Sequence, residues 1–266
     1  MATNSTIKAR IFSKKVLYKY ELIWHLVRRD FSLQYKRSVL GVLWSLLLPL
    51  VQLLVLIFIF EKVIPLNIEA YPVFLFSALL PWSWFSNCLT SAGGLFINNR
   101  DLVRRPNFEP SMLVIINTLS NLLLLIVALP LLFLAIPFFE RGLSINLIFL
   151  PLLILIQGLL SYGLGLIIAT INVFYRDIQH IVSVALLMLF FLTPVFYGIR
   201  SIGKDYRFLY DLNPMAGLIE SYRLIIYYDG APDWSSILVT GVISLITCLL
   251  GYIIYKSQIH HVVDII

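Results

Sequence analysis

The sequence predicts an all-α integral membrane protein with six transmembrane helices, on the basis of its composition and its apolar pattern. The chain has 266 residues, of which 60% are hydrophobic, more than a soluble domain of this size buries. Six segments contain no Asp, Glu, Lys or Arg: residues 39–60, 71–96, 112–139, 145–174, 178–199 and 235–255. A helix needs about 20 apolar residues to cross about 30 Å of hydrocarbon, so each segment predicts one span.

The chain divides into residues 1–38, a cytoplasmic tail with an interfacial helix, and residues 39–266, one six-span domain. Apolar residues recur every three or four positions within 16–37, at Tyr20, Trp24, Val27 and Phe31. This spacing predicts an amphipathic helix on the membrane surface, with Trp and Tyr towards the lipid and basic residues opposite. The helix is either a simple membrane anchor or a docking surface for a cytoplasmic partner.

The distribution of basic residues predicts the orientation. Most of the 20 Lys and Arg residues lie in the N-terminal tail, in the loops after the second and fourth spans, or at the C-terminus. Because cytoplasmic loops are enriched in Lys and Arg, we expect both termini in the cytoplasm. The net charge of +6 follows from this topology and from contact with anionic lipid, so no nucleic acid partner is expected.

The polar residues expected at membrane depth are neutral: Gln52, Asn87, Asn117, Asn121, Gln157 and Asn172. Ion-coupled pumps and proton relays keep ionisable groups inside the bilayer. A transporter built on this chain is therefore expected to draw its energy from elsewhere.

Residues 198–205, GIRSIGKD, approach the phosphate-binding pattern GxxxxGK[ST]. Asp205 stands where the pattern needs a hydroxyl, and no strand is predicted before the segment. The two cysteines and four histidines show no metal-ligand spacing. We therefore expect no ATPase site, no catalytic residue, no cofactor and no metal in this chain.

The loop 97–110 is a second charged element on the cytoplasmic side. Asn98 or Asn99 is placed to cap a short helix, which Pro106 would stop. The loop concentrates four charged residues, Arg100, Asp101, Arg104 and Arg105. It is either a solvated connector or a docking element.

The stretch 200–233, between the fifth and sixth spans, is expected outside the cell. Asn213 followed by Pro214 is a typical helix start, with Asn as the cap and Pro at the first position. About 14 residues at about 1.5 Å each give about 21 Å, too short to span. We expect a re-entrant or lid element that acts as an outer gate, with Asn213, Pro214, Glu220 and Arg223 as gate residues. One face would carry Met215, Leu218, Ile219, Tyr222, Ile225 and Ile226, and the other Ala216, Glu220 and Arg223.

Several aromatic residues lie too deep for an interfacial belt. They are Trp82, Trp84 and Phe85 in the second span and Phe190 and Phe191 in the fifth. Such rings either pack between helices or line a channel, where flat faces suit the C–H faces of sugars. Trp82 and Phe85 are three residues apart and share a helix face, so we expect these two, with Phe190 and Phe191, to line a channel. Trp84 is expected to pack elsewhere.

Five motifs in order resemble the ABC-2 type permeases that export polysaccharides, in particular O-antigen and teichoic acid. They are RRDFSLQYKRSVLGVLW (28–44), SALLPWSWFSNCL (77–89), NVFYRDIQHIV (172–182), FLTPVFY (191–197) and LNPMAGLIESYR (212–223). The resemblance extends from about residue 25 to the C-terminus. The motifs do not identify the glycan.

The resemblance implies a homodimer in the bacterial cytoplasmic (inner) membrane, paired with two copies of a separate ATP-binding subunit that holds ATP and Mg²⁺. The substrate would be a polysaccharide on undecaprenyl pyrophosphate. Two elements would contact the ATPase, through Arg28, Arg29 and Asp30 in the first and Arg100, Asp101, Arg104 and Arg105 in the second. Short helices at about 204–228 would gate the outer exit.

Three other functions compete with this one. An ABC-2 permease for a drug or a small lipid would share the fold. A membrane-embedded lipid-linked sugar transferase would need carboxylates or histidines gathered at one membrane face, whereas the acidic residues here are scattered. A secondary transporter is disfavoured by the uncharged spans.

Overall fold

The computed structural model describes residues 21–29, 43–106, 108–140, 142–199 and 202–266. Within these ranges the chain is helical and has no strand, which confirms the all-α class. The α-helices are α1 (21–29), α2 (Leu43–Ile57), α3 (Tyr71–Ala92), α4 (Leu95–Asn98), α5 (Arg100–Val103), α6 (Ser111–Phe138), α7 (Leu150–Phe174), α8 (Ile178–Leu192), α9 (Arg207–Asp211), α10 (Pro214–Ile226) and α11 (Trp234–Ile265). A π-helical segment, Phe58–Val63, continues α2, and 3₁₀ turns at Ile145–Phe149 and Lys204–Tyr206 precede α7 and α9.

Five helical segments in the described residues are long and apolar enough to cross a membrane: Leu46–Val63, Tyr71–Ala92, Ser111–Phe138, Ile145–Phe174 and Trp234–Ile265. The remaining predicted span, 178–199, is helical only as α8, which has 15 residues. Pro194 follows two residues after α8 and cannot donate to a helical hydrogen bond, so the apolar run continues as non-helical chain. The count of six spans stays a prediction.

Local sequence explains where several helices begin. α3, α7 and α10 each carry a proline in their first turn, where its fixed φ suits the helix and its missing N–H costs nothing. At α10 the expected cap is confirmed, because Asn213 Oδ1 accepts a hydrogen bond from Met215 N at 3.0 Å. Asp233 caps α11 in the same way.

The core is built around α3, which is buried along most of its length and contacts α2, α6, α7, α8 and α10. The most extensive helix pair is α7 with α11. They cross at Gly163 and Gly251, where an added Cβ on Gly251 would meet the carbonyl oxygen of Gly163. Small residues let membrane helices approach this closely.

Helix α1 lies against α6 through Leu26 and Val27, which pack on Met112 and Ile116. Trp24 is 53% exposed, whereas Val27 is 2% exposed. Two residues of the predicted apolar repeat therefore have different surroundings, because Val27 packs on the protein whereas Trp24 is exposed. Tyr20 and Phe31 lie outside the described residues, as do Asp30 and the boundary at residues 38 and 39.

The loop 97–110 contains α4 and α5, two helices of four residues each. Asn99 precedes α5 without capping it; its side chain instead donates to Leu95 O at 2.9 Å. α5 ends at Val103, before Pro106. The short helix was predicted, but its predicted cap was wrong.

Candidate functional site

A groove of about 1030 Å³ runs among α2, α3 and α6, with contributions from α4 and the start of α8. Its volume lies at the upper end of the range for small-molecule sites, about 300–1,000 Å³. The described lining residues are Trp44, Leu48, Pro49, Val51, Gln52, Trp82, Ser83, Ser86, Asn87, Thr90, Ser91, Leu95, Asn117, Ser120, Asn121, Leu124 and Gln179. None of these lining residues is charged.

The polar part of the lining comes from two helices whose polar residues follow the helical period. On α3 they are Ser83, Ser86, Asn87, Thr90 and Ser91, and on α6 they are Asn117, Ser120 and Asn121. Residues three and four apart lie on one face of a helix. The sequence analysis named the asparagines but not the Ser and Thr residues, although this spacing was the signal that would have found them.

Hydrogen bonds hold the amide of Asn117 at the base of the groove. Its Nδ2 donates to Cys88 O at 2.9 Å, and its Oδ1 accepts from Ser91 Oγ at 2.7 Å and Asn121 Nδ2 at 3.0 Å. These bonds join α3 to α6. Asn117 therefore fixes the distance between α3 and α6. The other polar residues on these two helices line the groove.

Ser120 Oγ is buried in the groove lining and has no hydrogen-bond partner among the described residues. Buried hydroxyls are normally paired with protein or water. With its neutral donors and acceptors, the groove suits a polar, hydroxylated ligand. Within the described ranges no group of three or more His, Cys, Asp or Glu side chains could hold a metal ion.

The four predicted channel aromatics form one chain of ring contacts. The Trp82 ring lies 5.9 Å from Phe85 and 5.7 Å from Phe190, and Phe190 lies 5.5 Å from Phe191. Among the described residues, Trp82 borders the groove, whereas Phe85 is 3% exposed and packs behind it. Phe191 is 58% exposed. The structure thus brings these rings together at one edge of the groove.

Trp84 lies outside this series of ring contacts. Its Nε1 donates to Thr118 O on α6 at 3.2 Å, and the side chain is 3% exposed. It belongs to the contact between α3 and α6, where an indole N–H at membrane depth needs an acceptor.

The two elements predicted to be cytoplasmic have exposed charged side chains where the structure describes them: Arg28, Arg29, Arg100, Asp101, Arg104 and Arg105. The apolar sides of these elements are anchored in the protein. Phe96 and Val103 pack in a cluster with Tyr255 and Val262 of α11. Phe108 packs against both this cluster and the one that holds α1, so the two elements are neighbours.

The four predicted gate residues occupy different environments in the structure. Asn213 and Pro214 start α10 as expected, and the Glu220 side chain is 24% exposed. Arg223 is 0% exposed, and Ala216 is 1% exposed. The predicted second face of α10 is therefore buried against protein at Ala216 and Arg223, because helical spacing does not reveal what packs on each face.

Sequence analysis also missed the role of Asn172, which is 2% exposed at the end of α7. Its Nδ2 donates to Gly93 O at 2.7 Å, and its Oδ1 accepts from Gln179 N at 3.0 Å. Asn172 thus joins the end of α3 to the start of α8, beside Gln179 in the groove lining.

Comparison with known proteins identifies the class. The family model of the ABC-2 type transporter matches residues 21–227, most of the chain. The protein belongs to the ABC-2 type transporter family, and it carries several apolar helices of membrane-spanning length.

Similar individual proteins are named as export permeases or as a transport protein. The chain is 33% identical over 245 residues to the O-antigen export system permease protein RfbA of Myxococcus xanthus, covering 91% of this chain and 94% of that protein. It is 26% identical over 250 residues to the Klebsiella pneumoniae protein of the same name, covering 94% and 96%. It is 25% identical over 236 residues to the polysialic acid transport protein KpsM of Escherichia coli, covering 86% and 90%.

Proposed function

We propose that this chain is the transmembrane permease subunit of an ATP-driven exporter of polysaccharide, and that the polar groove forms part of the polymer path. The relatives named for O-antigen export and polysialic acid transport support the substrate class. The observation that carries the proposal in this molecule is the groove itself, with neutral hydroxyls and amides along one side and Trp82 at its edge.

The chemistry of the groove suits a sugar chain that must move. Hydroxyl and amide groups both donate and accept, as sugar hydroxyls do, and each such hydrogen bond contributes only about 0.5–1.5 kcal/mol net. Exposed Trp44 offers a flat apolar surface beside them, and Trp82 adds an apolar edge. Weak, repeated contacts of this kind let successive sugars replace one another.

Two copies of the chain complete the path in this proposal. Gln52, Asn87 and Thr90 line the groove and are exposed in the single chain. Polar groups facing hydrocarbon are costly, so a second copy across the groove would enclose a polar conduit. Each copy would contact one ATP-binding subunit, which holds ATP and Mg²⁺, through the charged elements at Arg28 and Arg104.

The same proposal includes the membrane in which the complex lies and the lipid that carries the polymer. The complex would lie in the bacterial cytoplasmic membrane with both termini in the cytoplasm, and each chain would span it six times. The polymer would travel on undecaprenyl pyrophosphate and leave at the end where α10 lies. In this arrangement α10 is the re-entrant gate, with Asn213, Pro214, Glu220 and Arg223 as its gate residues.

Filling the groove tests this function. Thr90 is exposed and lines the groove, so Thr90→Trp adds bulk there without displacing core side chains. Expressed with the ATP-binding subunit in cells lacking their own export permease, this variant should abolish most surface glycan. The matched control is Leu134→Trp on α6, because Leu134 is 65% exposed and lies outside the groove lining.

The experiment tests the export function and the polymer path separately. If the parent chain delivers no glycan to the surface, polysaccharide export is the wrong function. If the parent exports and Thr90→Trp exports equally well, with normal protein levels, the groove is not the path. Export should survive Leu134→Trp.

A further inference from the structure

The chain leaves helical geometry directly after α8, in residues 193–198, which we call the strap. Thr193 has φ −98° and ψ 137°, an extended conformation, and Pro194 prevents the helix from continuing. Carbonyl groups in such a segment lack the helical partners that satisfy backbone at membrane depth. They need donors from elsewhere in the protein.

Side chains from two other helices supply these donors to three consecutive carbonyls. Arg223 of α10 donates to Val195 O at 2.5 Å and to Tyr197 O at 3.0 Å. Tyr71 of α3 donates its hydroxyl to Phe196 O at 2.9 Å. The strap is therefore tied to the start of α3 and to α10 by side-chain hydrogen bonds, in addition to its own backbone bond from Val195 N to Thr193 O.

Arg223 is held in this position from several sides. Its side chain is 0% exposed, and its Cζ lies 3.7 Å from the centroid of the Phe74 ring. A carboxylate oxygen of Glu220 lies 3.9 Å from its Nη1. Burial lowers the pKa of the guanidinium to about 10, which leaves it protonated at neutral pH. A planar fork of donors suits two carbonyls at once.

The strap in turn contacts the aromatic chain at the groove. The Phe196 ring stacks on Phe60 at 5.1 Å and lies 5.9 Å from Phe190. Phe190 contacts Trp82 at 5.7 Å, and Trp82 borders the groove. Contacts thus run from α10 through Arg223, the strap, Phe196 and Phe190 to the groove edge.

We propose that Arg223 is a positioning residue that ties the strap to α10, while Tyr71 ties it to α3, and that the two side chains together set the aromatic edge of the groove. This inference rests on the proposed function and deepens it, because it names the connection between the gate helix and the polymer path. When α10 moves, its hydrogen bonds to the carbonyls of Val195 and Tyr197 move the strap with it. Phe196 then moves, and its contact with Phe190 displaces Trp82. Gate position and groove shape are therefore coupled.

The test uses a cysteine in the strap. Val195 is 0% exposed, so Val195→Cys in a Cys248→Ala background should react slowly with a thiol reagent in the purified complex. Tyr71→Phe removes one strap hydrogen bond without touching the buried charge. We expect labelling at position 195 to rise about fivefold to tenfold, as the loss of one hydrogen bond predicts. Cys88 is 1% exposed and should stay unreactive, which excludes global unfolding.

A matched control and an Arg223 series complete the design. Tyr222→Phe makes the same change on α10 at a residue that is 1% exposed, whose hydroxyl has no partner among the described residues. It should leave labelling unchanged. Arg223→Gln should raise labelling more than Tyr71→Phe does, and Arg223→Lys should restore part of the protection. Export should fall as labelling rises.

Three outcomes overturn the proposal. They are no increase at position 195 in folded Tyr71→Phe, an equal increase in Tyr222→Phe, and faster labelling with unchanged export. If Arg223→Gln does not fold, Arg223→Lys tests the tie to α10, and the pair Tyr71→Phe and Tyr222→Phe still tests whether side-chain donors hold the strap. Failure of the parent chain to export any glycan counts against the proposed function, whereas the labelling rates still report whether these side chains hold the strap.

Discussion

Single neutral amides fix the positions of neighbouring helices in this protein. Asn117 joins α3 to α6 beside the groove, and Asn172 joins the end of α3 to the start of α8. The sequence predicted both residues at membrane depth as neutral polar groups, but it did not reveal their partners. Those partners are backbone atoms outside the residue's own helix, and the spacing of residues along one helix carries no information about them. Arg223 was predicted as a gate residue, but its partners in the strap escaped prediction for the same reason.

Replacing Asn172 with Leu tests this role at the scale of one residue. The change leaves Gly93 O and Gln179 N without their partner, and each unpaired buried group costs about 1–3 kcal/mol. We expect a lower midpoint of thermal unfolding in detergent. Asn98→Leu is the control, because Asn98 is exposed on α4. Equal midpoints for the two variants would contradict the conclusion that Asn172 holds the ends of α3 and α8 together.

At the scale of elements, the sequence located most helices and failed where a break leaves the apolar pattern intact. Residues 178–199 read as one continuous span, but α8 ends at Leu192 and the strap follows with equally apolar side chains. Pro194 was the available signal. The short helices at α5 and α10 were predicted, because Asn, Pro and charged residues interrupt the apolar pattern there. The crossing of α7 and α11 was not predicted, since small residues do not identify their partner helix.

The crossing gives a prediction for glycine substitutions on α7. A Cβ added at Gly163 would lie 2.6 Å from Cys248 N, so Gly163→Ala should push α11 away and lower stability by about 1–3 kcal/mol, as overpacking does. Gly158→Ala on the same helix would place its Cβ 3.7 Å from Trp84, an ordinary contact. That variant should be neutral or stabilised by up to about 1 kcal/mol. Thermal unfolding of both proteins measures the difference, and similar losses for the two would show that the close crossing is not the cause.

At the scale of the whole molecule, composition alone was sufficient for the fold class, because a chain that is 60% hydrophobic has few alternatives to membrane helices. The family could be recognised from ordered motifs. The groove could not be predicted as a volume, since it depends on how α2, α3 and α6 lie relative to one another. Its polar face was nevertheless present in the spacing of Ser, Thr and Asn on two helices.

The last prediction concerns the assembly. The loop 97–110 exposes Arg104 and Arg105 to solvent. Phe96, just before the loop, and Val103 within it pack on α11. Reversing both charges, Arg104→Glu with Arg105→Glu, should weaken co-purification of the ATP-binding subunit without disturbing membrane insertion. Exposed ion pairs contribute about 0.2–1 kcal/mol each and are screened by salt. The difference from the parent should therefore be modest at low salt and shrink at high salt.

Arg207→Glu is the control, because Arg207 is exposed on α9, on the side proposed to face away from the ATPase. Undiminished co-purification and ATP turnover in the double variant would remove this loop from the interface.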